Sequence, residues 1–482
     1  MYQSFNSDKL NYLDFFFKTA DGLGGKGRSD KRKYVERKNI GKSNGDTFPE
    51  KGAYFGCISE KEENRGAYSD LCVVIFPSNE PEDADDRWLI ALAVGSLGFK
   101  DDYDIVTLPG TRRLFVRKMY GNKTNTFIKN DFLDVESNDG FKKFRVNNNF
   151  PETLSNAVKN YEKEILVSTI IDPNNKKASE DVIKRYLGLY ATIREWPSNK
   201  DNRKNVKEAL AVENEDLDEE KEIKELLHQR KYIVLQGAPG TGKTRMAKQI
   251  TKHSKNVFFT QFHAETSYSD FIYGILPDVQ GKELNYKDRE GIFVKAIRTA
   301  QKNKNEKVYL IIDEINRANL SNVLGPAFYL FEPNMSDGEV QIEICPDLSL
   351  KKLPDNLYVI ATMNTADRSL AVIDFALRRR FAWYTMTPHE IKVGNGYEFC
   401  AKDFNAIKDI FEKYATDEEM NLQPGQAYFI VSKDNKEKEI HERLKYEIMP
   451  LIKEYLDNGM LSRSKDDFTN YFRNRIHEEM YK

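Results

Sequence analysis

The sequence predicts an α/β protein: a mixed α/β N-terminal half, then a parallel-sheet domain carrying a phosphate-binding loop, then a small helical domain. Three observations carry that expectation. Gly237-Ala238-Pro239-Gly240-Thr241-Gly242-Lys243-Thr244 is a complete GxxxxGKT loop, set between the apolar Tyr232-Ile233-Val234-Leu235 and the helix-like Arg245 to Ile250. A second apolar run, Val308 to Ile312, ends in Asp313-Glu314, and a third, Leu357 to Thr362, is followed by Asn364. Strands of this kind build open parallel sheets, which place ligand contacts at their carboxyl ends. From about Pro388 onward the chain reads as helices, as in Phe404 to Phe411 and Tyr446 to Leu456.

The loop needs glycines because its backbone turns tightly and aims several N–H groups at one phosphate, where an inward Cβ would occupy the anion's place. Lys243 is placed to neutralise β- and γ-phosphates and Thr244 to ligate magnesium, which implies a nucleoside triphosphate site formed by Gly237 to Thr244.

With 482 residues, 40% hydrophobic and 31% charged, the chain has room for roughly two to four domains, each with its own core. A net charge of −2 neither demands nor excludes a polyanionic partner. Cys57, Cys72, Cys345 and Cys400 lack CxxC spacing, which argues against a structural zinc site and a disulfide framework and for reduced thiols. Met1 to Lys9 lacks a signal-peptide core and no run is long and apolar enough for a membrane span, so a cytoplasmic location without membrane contact is expected.

Residues 1–197 read as the N-terminal mixed α/β domain, with strands at Asp70 to Phe76 and Arg113 to Arg117 and either a helix or a strand at Asp86 to Val94. Two basic clusters lie here: Lys26, Arg28, Lys31, Arg32, Lys33, Arg37 and Lys38, and then Arg112, Arg113, Arg117 and Lys118. Interleaved with Tyr34, Phe115 and Tyr120, they suit either phosphate contacts with base stacking or a solvated charged face. A helix is expected over Ser179 to Glu195, ended by Pro197. Residues 198–222 read as linker, with the acidic run Glu213 to Glu220 as linker or as the N-terminus of a helix whose face is Ile223, Leu226 and Leu227, residues 223–388 as the phosphate-loop core and residues 389–482 as the helical lid.

Within the core, Val257-Phe258-Phe259 gives a further buried-strand signal. Adjacent strand residues point to opposite faces, so Asp313 and Glu314 do different things: Asp313 suits the magnesium side, and Glu314 the base that orients attacking water. Asn364 is placed to hold water or the γ-phosphate, and Leu377-Arg378-Arg379-Arg380-Phe381 closes a helix with more cationic charge than capping needs.

These stretches resemble an AAA+ motor, and their wording resembles the McrB family, the nucleotide-driven subunit of modification-dependent restriction systems. The resemblance runs through Gln261-Phe262-His263, Ser267 to Ile272, Asp313 to Leu320 and Met363 to Leu370, and covers roughly residues 210 to 460. It implies Lys243 and Thr244 at phosphates and magnesium, Asp313 and Glu314 at metal and water, Asn364 with Asp367 near the attacking water, and Arg379 or Arg380 as a finger reaching a neighbour's nucleotide. A finger supplied in trans implies a homo-oligomeric ring, most simply a hexamer. Gly425 to Phe429 resembles the family's lid segment, with Gln426-Ala427 where a histidine-serine pair is expected.

The resemblance also implies GTP, although the phosphate loop reads phosphates and not the base, so ATP stays open. No nuclease pattern is present, so cleavage is expected from an McrC-like partner acting on DNA. Two functions are compatible with the sequence. One is a ring NTPase that drives DNA translocation or activates that nuclease in antiviral restriction. The other is a target-recognition module whose nucleotide binding mainly controls assembly.

Overall fold

The computed structural model describes residues 7–27, 30–39, 53–62, 68–78, 86–119, 125–211, 219–278, 285–332, 340–366 and 375–481. The chain forms two compact units, residues 1–215 with 412–414 and residues 216–411 with 415–482.

In the first unit β1 (Tyr34–Asn39), β2 (Tyr54–Ser59), β3 (Leu71–Phe76), β4 (Trp88–Val94), β5 (Thr126–Ile128) and β6 (Ile165–Ile171) form an antiparallel sheet in the order β1-β2-β3-β4-β6-β5. All seven residues of β4 are buried, which resolves the ambiguity at Asp86 to Val94 in favour of a strand. Trp88, Ile90, Leu92 and Val94 join a core with helices Ser7–Ala20, Pro109–Met119 and Lys176–Ile193. Leu89, Ala91 and Ala93 face Phe141, Leu154 and Val158 of helices Asp139–Asn147 and Glu152–Lys159. Covering both faces is what makes β4 apolar throughout rather than alternating.

Two expectations fail in this unit. Arg113 to Arg117 is not a strand: it lies inside helix Pro109–Met119, whose buried Thr111, Phe115 and Met119 recur every four residues, a stripe that a five-residue window cannot display. Residues 200–209 are not linker either. They form a helix that buries Val206 in the first core, whereas the end of the acidic run does open a helix, Glu219–Arg230 of the second unit, which buries Ile223 and Leu227.

The basic clusters are largely spent on the fold. Arg32 bonds both carboxylate oxygens of Asp21 at 3.0 and 2.9 Å and also Glu36, Lys33 Nζ donates to Trp196 O at 2.8 Å, and Arg37 donates to Glu62 O at 3.1 Å. Arg112 donates to Lys129 O and Lys118 to Leu210 O, each at 3.0 Å. Tyr34 and Phe115 are buried in the core, which removes them as stacking platforms, while Arg28 and Tyr120 lie outside the described residues.

In the second unit β7 (Tyr232–Gly237), β8 (Val257–Gln261), β9 (Tyr273–Asp278), β10 (Asn285–Glu290), β11 (Val308–Asp313), β12 (Ile342–Cys345), β13 (Leu348–Leu350), β14 (Leu357–Asn364) and β15 (Ala382–Thr385) precede the lid. Five of them form a wholly parallel sheet in the order β15-β7-β14-β11-β8. Helix Ile292–Lys302 packs on one face through Phe293, Val294 and Ile297, and helices Glu219–Arg230 and Lys243–Thr251 on the other through Ile223, Leu227 and Ala247. The expected buried strand at Val257 is instead the sheet's edge, with Val257 38% and Phe259 41% exposed.

The lid has its own core, in which Phe404, Ile407 and Phe411 of helix Ala401–Tyr414 meet Ile440, Ile452, Phe468 and Phe472 of later helices. A short antiparallel pair, β16 (Tyr397–Phe399) and β17 (Ile430–Ser432), interrupts this otherwise helical part. Among the described residues all four cysteines are free thiols, and no helix is long and apolar enough to cross a membrane.

Candidate functional site

The strand order places the carboxyl ends of β7, β14 and β11 side by side, and the polar residues foreseen at each end meet there. At the end of β7, Gly240 and Gly242 carry φ of +80° and +89°, a left-handed conformation that costs a residue with a Cβ about 1–2 kcal/mol. A Cβ on Gly242 would meet nothing within 4 Å, so backbone conformation and not space calls for glycine there. Gly242 caps helix Lys243–Thr251, whose first N–H groups and dipole suit an anion. Thr241 Oγ1 closes the loop on Ala238 O at 2.9 Å. The buried Lys243 ammonium donates to Gly237 O at 3.0 Å and Ala238 O at 2.8 Å, which holds a positive charge inside the loop.

β11 delivers the carboxylates. Asp313 Oδ1 accepts from Thr244 Oγ1 at 2.6 Å and from Thr362 Oγ1 at 2.7 Å. These are hard oxygen donors of the kind that bind magnesium. The strand alternation ends at Asp313, because Glu314 turns into the left-handed region at φ +56° and ψ +49°. Glu314 Oε1 then accepts from Asn364 Nδ2 at 2.5 Å, Oε2 lies 3.4 Å from Arg317 Nε, and the Glu314 amide donates to Thr362 Oγ1 at 3.1 Å. Strained backbone of this kind concentrates at functional sites. Asn316, buried beside them, donates to Asn364 O at 3.4 Å, and its Oδ1 has no partner among the described residues.

Thr362 and Asn316 were not foreseen as site residues. The signal for Thr362 is in the sequence: it is the hydroxyl inside the apolar run of β14, two residues before Asn364 and therefore on the same strand face. Asp367, expected near the water, lies outside the described residues.

The lid reaches the phosphate loop through the segment whose wording departs from the expected histidine-serine. Gly425 N donates to Pro239 O at 2.9 Å, Ala427 N to Gly240 O at 3.0 Å, and the buried Gln426 Nε2 to Thr241 O at 2.8 Å. The Tyr428 ring lies over Gly240, and burial pushes its phenol pKa up, with Glu447 adding to the effect. A Cβ on Gly425 would run into the backbone of Gly240 and Thr241, which cannot yield as a side chain can. Gly425→Ala is therefore expected to weaken nucleotide binding about tenfold, from overpacking of about 1–3 kcal/mol. Unchanged affinity by calorimetry would mean the lid contact does not shape the loop.

The three terminal arginines of helix Phe375–Arg380 have different surroundings. Arg380 is buried, with Nε 2.9 Å from Glu332 Oε2 and its guanidinium 4.1 Å from the Phe328 ring centroid. Arg378 lies 5.4 Å over the Trp383 ring. Arg379 also pairs with Glu332, at 3.0 Å, but its side chain is 64% exposed. One further cluster, Glu290, Cys345 and Asp347, has the proximity of a metal site, but Arg298 bonds the two carboxylates at 2.6 and 2.7 Å and makes it an ion-pair group.

A parallel sheet in this order, with a phosphate loop, a paired carboxylate strand and an asparagine strand converging, has the architecture of a P-loop nucleotide-binding domain. Residues 232–381 match the AAA domain (dynein-related subfamily), and this part of the chain is similar to McrB-type AAA+ domains. The chain is 31% identical over 261 residues to the type IV methyl-directed restriction enzyme EcoKMcrB subunit of Escherichia coli (strain K12), covering 49% of this chain and 56% of that protein. It is 29% identical over 189 residues to the type II restriction enzyme BsuMI component YdiS of Bacillus subtilis (strain 168), covering 31% of this chain and 55% of that protein. The chain thus spans about half the length of the curated relatives it matches, and the AAA match does not extend into residues 1–231.

Proposed function

We propose that the chain is a magnesium-dependent, ring-forming nucleoside triphosphatase, GTP favoured and ATP possible, that moves DNA or activates an McrC-like nuclease subunit in restriction. The observation that carries this reading is the convergence of Thr244, Asp313, Glu314 and Asn364 at neighbouring strand ends. Thr244 and Asp313 would hold magnesium, which would supply positive charge against the phosphates. Lys243 supplies a positive charge to the phosphates. Glu314 accepts a proton from attacking water, and its hydrogen bond to Asn364 orients the accepting carboxylate.

Restriction comes to this chain from its two relatives, both restriction components, and DNA and the nuclease partner from the McrB resemblance. The GTP preference rests on the McrB resemblance. The test is hydrolysis of GTP and of ATP by the purified chain with magnesium, alone and with a nuclease encoded beside it; absence of turnover under every condition would sink the reading. Lys243→Ala is expected to weaken nucleotide binding at least about 100-fold, since it removes charge-assisted bonds together worth about 3 kcal/mol. Parental affinity by calorimetry would refute the role given to Lys243.

A second reading is favoured by the separate core of residues 1–215: this unit recognises a target while nucleotide governs assembly. Under that reading Glu314→Gln, unable to turn over, still supports target binding and oligomerisation in the presence of nucleotide.

A further inference from the structure

We propose that Thr362 is a positioning residue for hydrolysis, its one hydroxyl setting both the carboxylate of Asp313 and the backbone from which Glu314 acts. The proposal rests on the hydrolase reading above. Thr362 is 1% exposed, so its hydroxyl has no recourse to solvent. A hydroxyl has one proton to donate and lone pairs to accept with. The proton goes to Asp313 Oδ1 at 2.7 Å, and a lone pair takes the Glu314 N–H at 3.1 Å.

That second bond has no substitute in the sheet. The pairing of β11 with β14 ends at Ile312 opposite Ala361, so the Glu314 amide is past the ladder, and the Thr362 side chain stands where a strand carbonyl would otherwise accept. The amide belongs to the residue in the left-handed conformation, φ +56°. From that conformation the Glu314 carboxylate meets Asn364 Nδ2, and Asn364 projects from the same face of β14 as Thr362. One strand face therefore holds Glu314 twice, by its backbone through Thr362 and by its carboxylate through Asn364. Asp313 is tied to the same hydroxyl, so the magnesium-side group and the base share a reference point.

Thr362→Val keeps the shape and removes the hydroxyl, whereas Thr362→Ser keeps the hydroxyl. In the full chain, Thr362→Val is expected to lower kcat about 10- to 100-fold, the usual effect of removing a partner that orients a reacting group. KM and calorimetric nucleotide affinity should stay within about threefold, because transition-state and not ground-state interactions are lost. Thr362→Ser should keep at least about a third of parental kcat. A crystal structure of Thr362→Val should show Glu314 outside the left-handed region and its contact with Asn364 opened beyond about 3.5 Å.

Parental kcat in Thr362→Val overturns the proposal, as does a serine variant as impaired as the valine one, or loss of nucleotide binding in step with kcat. If Thr362→Val and Thr362→Ala both fail to fold while Thr362→Ser folds, the hydroxyl is structural and the positioning role is overturned as well. The parental chain and Glu314→Gln together separate the two readings. Absence of turnover by the parental chain removes the hydrolase assignment itself, normal turnover in Glu314→Gln removes the base that Thr362 is proposed to position, and an inactive Glu314→Gln beside a fully active Thr362→Val removes only the role of Thr362.

Discussion

Glu314→Gln is expected to bind magnesium and nucleotide as the parent does and to turn over about 100- to 10,000-fold more slowly, the usual cost of losing a general base. The amide is nearly isosteric with the carboxylate and can still meet Asn364 Nδ2 through its oxygen, so the local structure around the 2.5 Å contact should persist. What it cannot do is accept the proton of attacking water. Binding by calorimetry and hydrolysis by phosphate release test the two halves separately. Near-normal hydrolysis would place the base elsewhere, and loss of binding would place Glu314 in the nucleotide pocket rather than at the water.

Arg379→Ala is expected to bind nucleotide normally and hydrolyse it about 1,000-fold more slowly, the contribution of an arginine that stabilises charge on a transferring phosphoryl group from a neighbouring subunit. The surroundings of the three arginines select this one. Arg380 is buried against Glu332 and Phe328, and Arg378 lies over Trp383, whereas Arg379 is largely exposed and its pairing with Glu332 is of the solvent-screened kind that contributes little. Mixing Arg379→Ala with Lys243→Ala should restore some activity, since the intact site of the first can receive the intact finger of the second. Co-assembled mixtures no more active than their components would mean that Arg379 acts within its own chain or only caps its helix.

Legibility of the site tracked the distance over which each feature is specified. The phosphate loop was readable because its conformation is decided within eight contiguous residues, two of them glycines in the left-handed region. Asp313, Glu314 and Asn364 were readable because each stands at or just beyond the carboxyl end of an apolar run, the place where a parallel sheet exposes side chains to a ligand. Short runs were less dependable. Arg113 to Arg117 has a strand's composition but lies in a helix, and Val257 to Phe259 is apolar yet lies at the sheet's edge.

By itself the sequence determined that this chain has a phosphate loop, a carboxylate strand and an asparagine strand in McrB-like wording, because backbone geometry and strand character are set by residues a few positions apart. The tertiary structure alone decided which polar groups become partners. Thr362 reaches Asp313 across 49 positions, Arg380 reaches Glu332 across 48, and Gln426 reaches Thr241 across 185. A buried polar side chain must find a hydrogen-bond partner, but which one it finds depends on the order in which the strands lie, here β15-β7-β14-β11-β8, and that order is settled by packing between elements remote in the chain.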